Sequence, residues 1–183
     1  MDKEDGRPCP NLSPGDMCLI HNQLQAKGYR GCIAFECLGA GQHVSQITFQ
    51  GISWRADRPQ EMFQSFSRLR HLREISWYLT ESLLYQIPSS VRDAICGLLR
   101  QTLDLMNLPC QDLLSFDLAA HHNLASSLLR EASSCVKRHL GRNLGIDMHL
   151  ARQSRQDYFG KDLRKLDLRL QSLRGACLIA STM

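Results

Sequence analysis

The residues best placed by type and spacing for chemistry are Cys18, His21, Cys32 and Cys37, within the stretch CLIHNQLQAKGYRGCIAFEC. Their order, Cys-x2-His-x10-Cys-x4-Cys, approaches that of a tetrahedral zinc site. Structural zinc usually draws its ligands in pairs two to four residues apart, around a turn. Cys18 and His21 meet that condition; Cys32 and Cys37 do not. Residues five apart point to opposite faces of a strand and diverge by about 140° on a helix. Ile-Ala-Phe, which separates them, is poor turn material. The eight cysteines are also spread along the chain rather than paired by spacing. The reading preferred on these grounds is free thiols packed as small apolar groups, with no metal and no other cofactor.

Other catalytic arrangements are thinner. Cys32, Cys37 and His43 lie near one another in sequence, and the Gly-Ala-Gly at 39–41 offers backbone N–H groups. A nucleophile, however, needs its base and a third group to hold that base. There is no Gly-x-Ser-x-Gly elbow, no Gly-x4-Gly-Lys-Ser/Thr loop and no Gly-x-Gly-x2-Gly fingerprint. His121 and His122 are adjacent, so on a helix they point about 100° apart and do not chelate together; one is expected to face inward and one outward. The sequence therefore predicts a protein that is not an enzyme and takes no small-molecule substrate.

The elements that must position these residues are mostly helical. The chain has 183 residues, 43% hydrophobic and 22% charged, enough for a sizeable core. Residues 1–16, rich in charge, Pro and Gly, are expected to form a loosely ordered arm ahead of one domain over 17–183. The alternation of Ile33, Phe35 and Cys37, followed by Val44, Ile47, Phe49, Ile52 and Trp54, predicts a β-hairpin over about 31–55. From Asp57-Arg58-Pro59 onward the period changes. Met62, Phe66, Leu69, Leu72, Ile75, Leu79 and Leu83 make one helical stripe; Val91, Ile95, Leu98, Thr102 and Leu105 make a second, closed by Leu108-Pro109. A third helical region runs from Gln111 to Leu140, with an interruption near the two histidines. Leu163, Leu166, Leu170 and Leu173 follow a 3-4-3 spacing and predict a leucine-rich terminal helix over about 157–179. The fold class is thus α+β and predominantly α-helical, with four or five packed helices and a short N-terminal hairpin.

Charge and surface then point to function. The basic side chains are 17 Arg and 5 Lys, within a net charge of +4. Arg130, Lys137, Arg138, Arg142, Arg152 and Arg155 outnumber the acids between 118 and 156, while Glu81, Asp93, Asp104, Asp112 and Asp117 dominate between 76 and 117. Such asymmetry suits pairing within the chain or with another subunit, or contact with phosphates. The terminal leucine stripe needs covering, by this domain, by a second copy or by a protein partner. These features predict a non-catalytic interaction or assembly protein, self-associating or bound to a protein partner, through Leu163, Leu166, Leu170, Leu173 and the basic region. The competing reading is an arginine-rich regulatory RNA or other nucleic-acid binder. Its base-stacking cluster would be Trp54, Arg55 and Arg58, although aromatics are only 7% of the chain. No apolar run reaches the length of a membrane span and the N-terminus is polar, which predicts an intracellular, cytoplasmic or nuclear protein with no membrane contact.

Overall fold

The computed structural model describes residues 8–56, 58–144, 157–164, 166, 168, 173 and 176–182; the side chains of 142–144 lie outside that description. Six helices are present among these residues: α1 (Arg30–Ala34), α2 (Ala40–His43), α3 (Pro59–Ser82), α4 (Ser89–Met106), α5 (Cys110–Ser115) and α6 (Leu118–Leu144). The chain divides into two compact units, Met1–Tyr78 with Leu98–His122, and Leu79–Gly97 with Asn123–Met183.

The first unit is built around α3. α3 opens on Pro59, whose missing N–H costs nothing in the first turn, and Glu61 complements the positive end of the dipole there. Met62, Leu69 and Leu72 fall on one face and pack with Ala40, Val44, Phe49, Leu105, Met106 and Leu113 into a single apolar core. Ser65, on the same face, is also fully buried. α5 stops at Phe116, whose backbone turns extended, and the Asp117 carboxylate then accepts the Ala120 N–H at 2.9 Å, capping α6. The interruption expected near the histidines is therefore Phe116-Asp117. It sits ahead of them, because Asp satisfies an orphan N–H more cheaply than continuing the helix.

The N-terminal half of this unit departs from expectation. There is no β-hairpin over 31–55 among the described residues. Residues 30–34 are helical, and Ala40–His43 runs on into a wider π-helical turn, Val44–Thr48. Helical spacing wins because it sends Ala40, His43 and Val44 inward together. The alternating residues Ile33 and Phe35 remain more than half exposed, at 55% and 57%. Gly39, left-handed at φ 74°, starts α2, and a Cβ there would meet Arg73 Nη1 at 3.5 Å. The arm is partly tied down: Leu12 bridges Cys18, and the Ser13 N–H donates to the Met17 carbonyl at 2.9 Å.

In the second unit Leu79, Val91, Ile95, Ala125 and Ala132 are buried. Arg92 donates from Nη1 to the Leu83 carbonyl and from Nη2 to the Tyr85 carbonyl, both at 3.0 Å, so one fork holds the turn that leaves α3. The expected terminal helix is also absent from the described residues between 157 and 179. They form turns and parallel bridges instead. No helix among the described residues is long and apolar enough to cross a membrane.

Candidate interaction surface

The sequence around residues 157–182 repeats every five residues, and the backbone follows it. N–H groups of Lys161, Leu166, Ala176 and Ser181 donate to the carbonyls three residues back, at Tyr158, Leu163, Leu173 and Leu178. Two of these turns are braced by aspartate. Asp157 Oδ1 accepts the Phe159 N–H at 2.9 Å and Asp162 Oδ1 accepts the Arg164 N–H at 3.1 Å. Arg164 also forks onto Asp162, and these bonds hold that carboxyl below the usual carboxylate range.

The second regularity is twenty residues long. Asp157 bridges Cys177 and Asp162 bridges Thr182, both in parallel, so each pair is offset by 177 − 157 = 182 − 162 = 20 residues. The rung is bonded through Tyr158 N–H to Cys177 O (2.9 Å), Gly160 N–H to Ile179 O (3.0 Å), Leu163 N–H to Thr182 O (2.8 Å) and Thr182 N–H to Lys161 O (3.0 Å). Gly160 and Ala180, one repeat apart, are both left-handed, at φ 65° and 58°. A chain that returns beside itself in parallel after a fixed interval, with the same turn at the same place, is one coil of a β-solenoid.

This geometry places the four leucines differently from a helical stripe. Leu163 faces the interior and is 3% exposed, whereas Leu166 points outward and is 52% exposed. Leu173 is half-buried, and Leu170 lies outside the described residues. The inward series runs Tyr158, Leu163, Leu168, Leu173, Leu178, with the last three half-buried. Outside, Phe159 and Ile179 stand at equivalent places one repeat apart, and both are largely exposed. The basic region is only partly described: Arg130 and Arg138 are exposed and Lys137 is half-buried. Arg138 donates to the Ser134 carbonyl and to the Cys135 sulfur. The Arg142 side chain, Arg152 and Arg155 lie outside the described residues.

The stacking cluster is brought together, but its arginines are engaged. Arg55 lies over the Trp54 ring at 4.3 Å, ion-pairs with Asp16 at 2.8 Å and donates to the Ser13 carbonyl. Trp54 packs against Phe63, and Arg58 pairs with Glu61 at 3.4 Å. Elsewhere the guanidinium fork serves the fold. Arg68 donates to the carbonyls of Leu113 (2.7 Å) and Phe116, and Arg70 sits over the Phe35 ring. Composition showed the excess of arginine; which carbonyls it grips depends on tertiary packing.

Cys18, His21, Cys32 and Cys37 do not converge. Among the described residues no three His, Cys, Asp or Glu side chains form a metal-binding group. The stretch is not core either. Cys32 and His21 are exposed, and Cys18 and Cys37 are half-buried.

Two buried histidines are used internally. His43 Nδ1 accepts from Arg73 Nη2 at 3.0 Å, so its proton sits on Nε2; that atom and Arg73 Nε are buried without partners. Burial, then the Arg73 charge, lowers the His43 pKa, against a smaller opposing effect of the Met106 backbone. Arg73 also donates to the Leu38 carbonyl at 3.1 Å. Thr102 gives its hydroxyl proton to the Leu98 carbonyl at 2.7 Å and accepts His121 Nε2–H at 2.9 Å. Burial lowers the His121 pKa as well. His121 faces inward, edge-on to Phe116, and His122 faces out. Near α5, the Cys110 thiol donates to Glu61 at 3.6 Å beside Ser65 Oγ, and Gln111 reaches the same carboxylate. These bonds tie α5 to α3.

No family model matches the chain, and no solved structure matches it. It is similar to YybG, an uncharacterized protein of Bacillus subtilis (strain 168), with 36% identity over 138 residues. That match takes in 74% of this chain and 50% of the relative, so the chain spans about half the length of the curated relative it matches.

Proposed function

We propose that this chain is a non-catalytic interaction or assembly protein whose partner-facing element is the coil that joins residues 157–164 to residues 176–182. The observation that carries the reading is the pair of parallel bridges at a twenty-residue offset. A coil of this kind fixes its backbone by long-range rungs and turns its side chains outward as a regular surface, the usual working surface of solenoids. Phe159 and Ile179 supply a large apolar ladder on that surface. The buried histidines favour the same reading. His43 is engaged by Arg73 and His121 by Thr102, so both serve the fold rather than a nucleophile.

Nucleic-acid binding is the weaker reading, since Arg55 and Arg58 already hold carboxylates of this chain. Native mass spectrometry of the protein, gently purified from its own cells, tests the proposal. The expected result is a species heavier than one chain, lost when Leu163→Ala loosens the coil. A lone chain that acquires no partner in cell extract overturns it.

A further inference from the structure

Arg73 of α3 grips the start of α2 twice. Its Nη1 donates to the Leu38 carbonyl at 3.1 Å and its Nη2 to His43 Nδ1 at 3.0 Å. The first bond holds Leu38 in a left-handed backbone, φ 53°, where an L-residue is strained. The second lies in the interior: His43 is 7% exposed, and neither its Nε2 nor Arg73 Nε has a hydrogen-bond partner.

This contact holds only while the imidazole is neutral. A guanidinium has donors and no acceptor, so His43 must supply the lone pair. A second proton on the ring goes to Nδ1, the atom that accepts from Arg73. The acceptor then becomes a donor, and two cations meet in a buried place. No carboxylate is at hand to offset them. α3 presents the Arg73 charge to the ring and α4 presents the Met106 backbone. Glu36, the acid nearest in sequence, gives its Oε1 to the Leu38 N–H, and Arg70 donates to the Glu36 carbonyl.

We infer that this contact is an acid-sensitive clasp: protonation of His43 at Nδ1 breaks the grip of Arg73 and releases residues 38–49 from α3, opening the core that Ala40, Val44 and Phe49 share with Leu69 and Leu72. α5 stays in place, because bonds in which no imidazole takes part tie it to α3: Arg68 donates to the Leu113 carbonyl and Gln111 to Glu61. The sign follows from linkage. Burial and the Arg73 charge lower the pKa of the clasped ring, and the released ring returns to the ordinary 6.5. The open form therefore binds more protons below about pH 6.5 and gains population as pH falls.

Hydrogen exchange of the full chain, read by mass spectrometry and corrected for the intrinsic pH dependence of exchange, provides the test. The reporting amides are His43, Phe49 and Gly51, which bond the carbonyls of Gly39, Val44 and Ser45. Their opening is expected to rise by up to about tenfold between pH 7.5 and pH 5.5, while amides of 110–115 keep their protection. His43→Gln offers Arg73 an amide oxygen that takes no proton, and the pH response of 43–51 is expected to vanish in it. A segment 43–51 indifferent to pH overturns the inference, as does one that opens only together with 110–115, or one that responds equally in His43→Gln. A measurement on the unaltered protein stands beside the variant: two-bond ¹H–¹⁵N NMR of the His43 ring at pH 7.5 is expected to show Nδ1 bare and Nε2 protonated. A proton on Nδ1 at that pH overturns the clasp as well.

Discussion

The helices of the first unit and the coil near residues 157–182 meet the same backbone requirement over very different distances along the chain. Past the first turn of α3 an N–H finds its carbonyl four residues back, and the side chains of Met62, Leu69 and Leu72 follow the turn of the helix onto one core. In the coil, the Tyr158 and Leu163 N–H groups find theirs at Cys177 and Thr182, on the rung twenty residues ahead. Helical order is rewarded turn by turn as it forms. Coil order is rewarded only after the loop between its rungs has closed, so its stability rests on a few inward side chains that fix the register.

The largest effect that separates these regimes is expected at two leucines three residues apart. If 163 and 166 belonged to a helical stripe, truncating either would cost about the same. In the coil Leu163 is interior and Leu166 exterior. Leu163→Ala is expected to lower unfolding stability by about 2–5 kcal/mol, and Leu166→Ala to change it by no more than about 0.5 kcal/mol. Chemical denaturation of the two variants measures the contrast. Equal losses would restore the helix.

The same leucines show what a sequence can and cannot reveal. Leu163 and Leu173 belong both to a 3-4-3 spacing and to a five-residue series with Leu168 and Leu178, and the first pattern looks helical within a short window. The distinguishing signal is an aspartate before the inward residue at Asp157-Tyr158, Asp162-Leu163 and Asp167-Leu168. It repeats at five, a period that neither helix nor strand shares. The stripes of α3 and α4 were legible because local spacing decides them: Leu69, Leu72, Leu79, Ile95 and Leu98 are buried as their spacing requires. The expected hairpin fails for the opposite reason. β-branched content over 44–54 is a weak preference, and it yields to the helical spacing of Ala40 and Val44 against the core. Pairings such as His43 with Arg73, thirty residues apart, leave no mark in composition or period.

The second prediction concerns buried histidines, which the first unit has and the described part of the coil lacks. His43 and His121 have pKa values lowered from 6.5, so between that value and their folded pKa the unfolded chain binds more protons than the folded one. Stability therefore falls as pH drops below about 6.5, and acid favours unfolding. Trp54 and Trp77 both belong to the first unit and report on it. The fluorescence-detected urea midpoint is expected to fall between about pH 7.5 and about pH 5.5, and to fall less in His121→Gln. Amide exchange at Leu163 and Thr182 is expected to change little over the same window. A midpoint indifferent to pH would mean that neither imidazole is held neutral by the fold.

The smallest effect tests the coil at its finest detail, the shared left-handed residue of its two rungs. One rung uses Gly160 and the other Ala180, at φ values of 65° and 58°. An L-residue there brings Cβ toward the following carbonyl oxygen at a cost of about 1–2 kcal/mol, whereas glycine incurs no such clash but surrenders about 0.5–1 kcal/mol more chain entropy on folding. Strain relief exceeds the entropy loss, so Ala180→Gly is expected to stabilise by about 0.5–1 kcal/mol and Gly160→Ala to destabilise by a similar amount. Opposite signs at two positions twenty residues apart would be hard to obtain from anything except a repeated turn. Were Ala180→Gly to destabilise as an ordinary loss of a side chain does, the second rung would not repeat the first, and the equivalence on which the coil is built would fail.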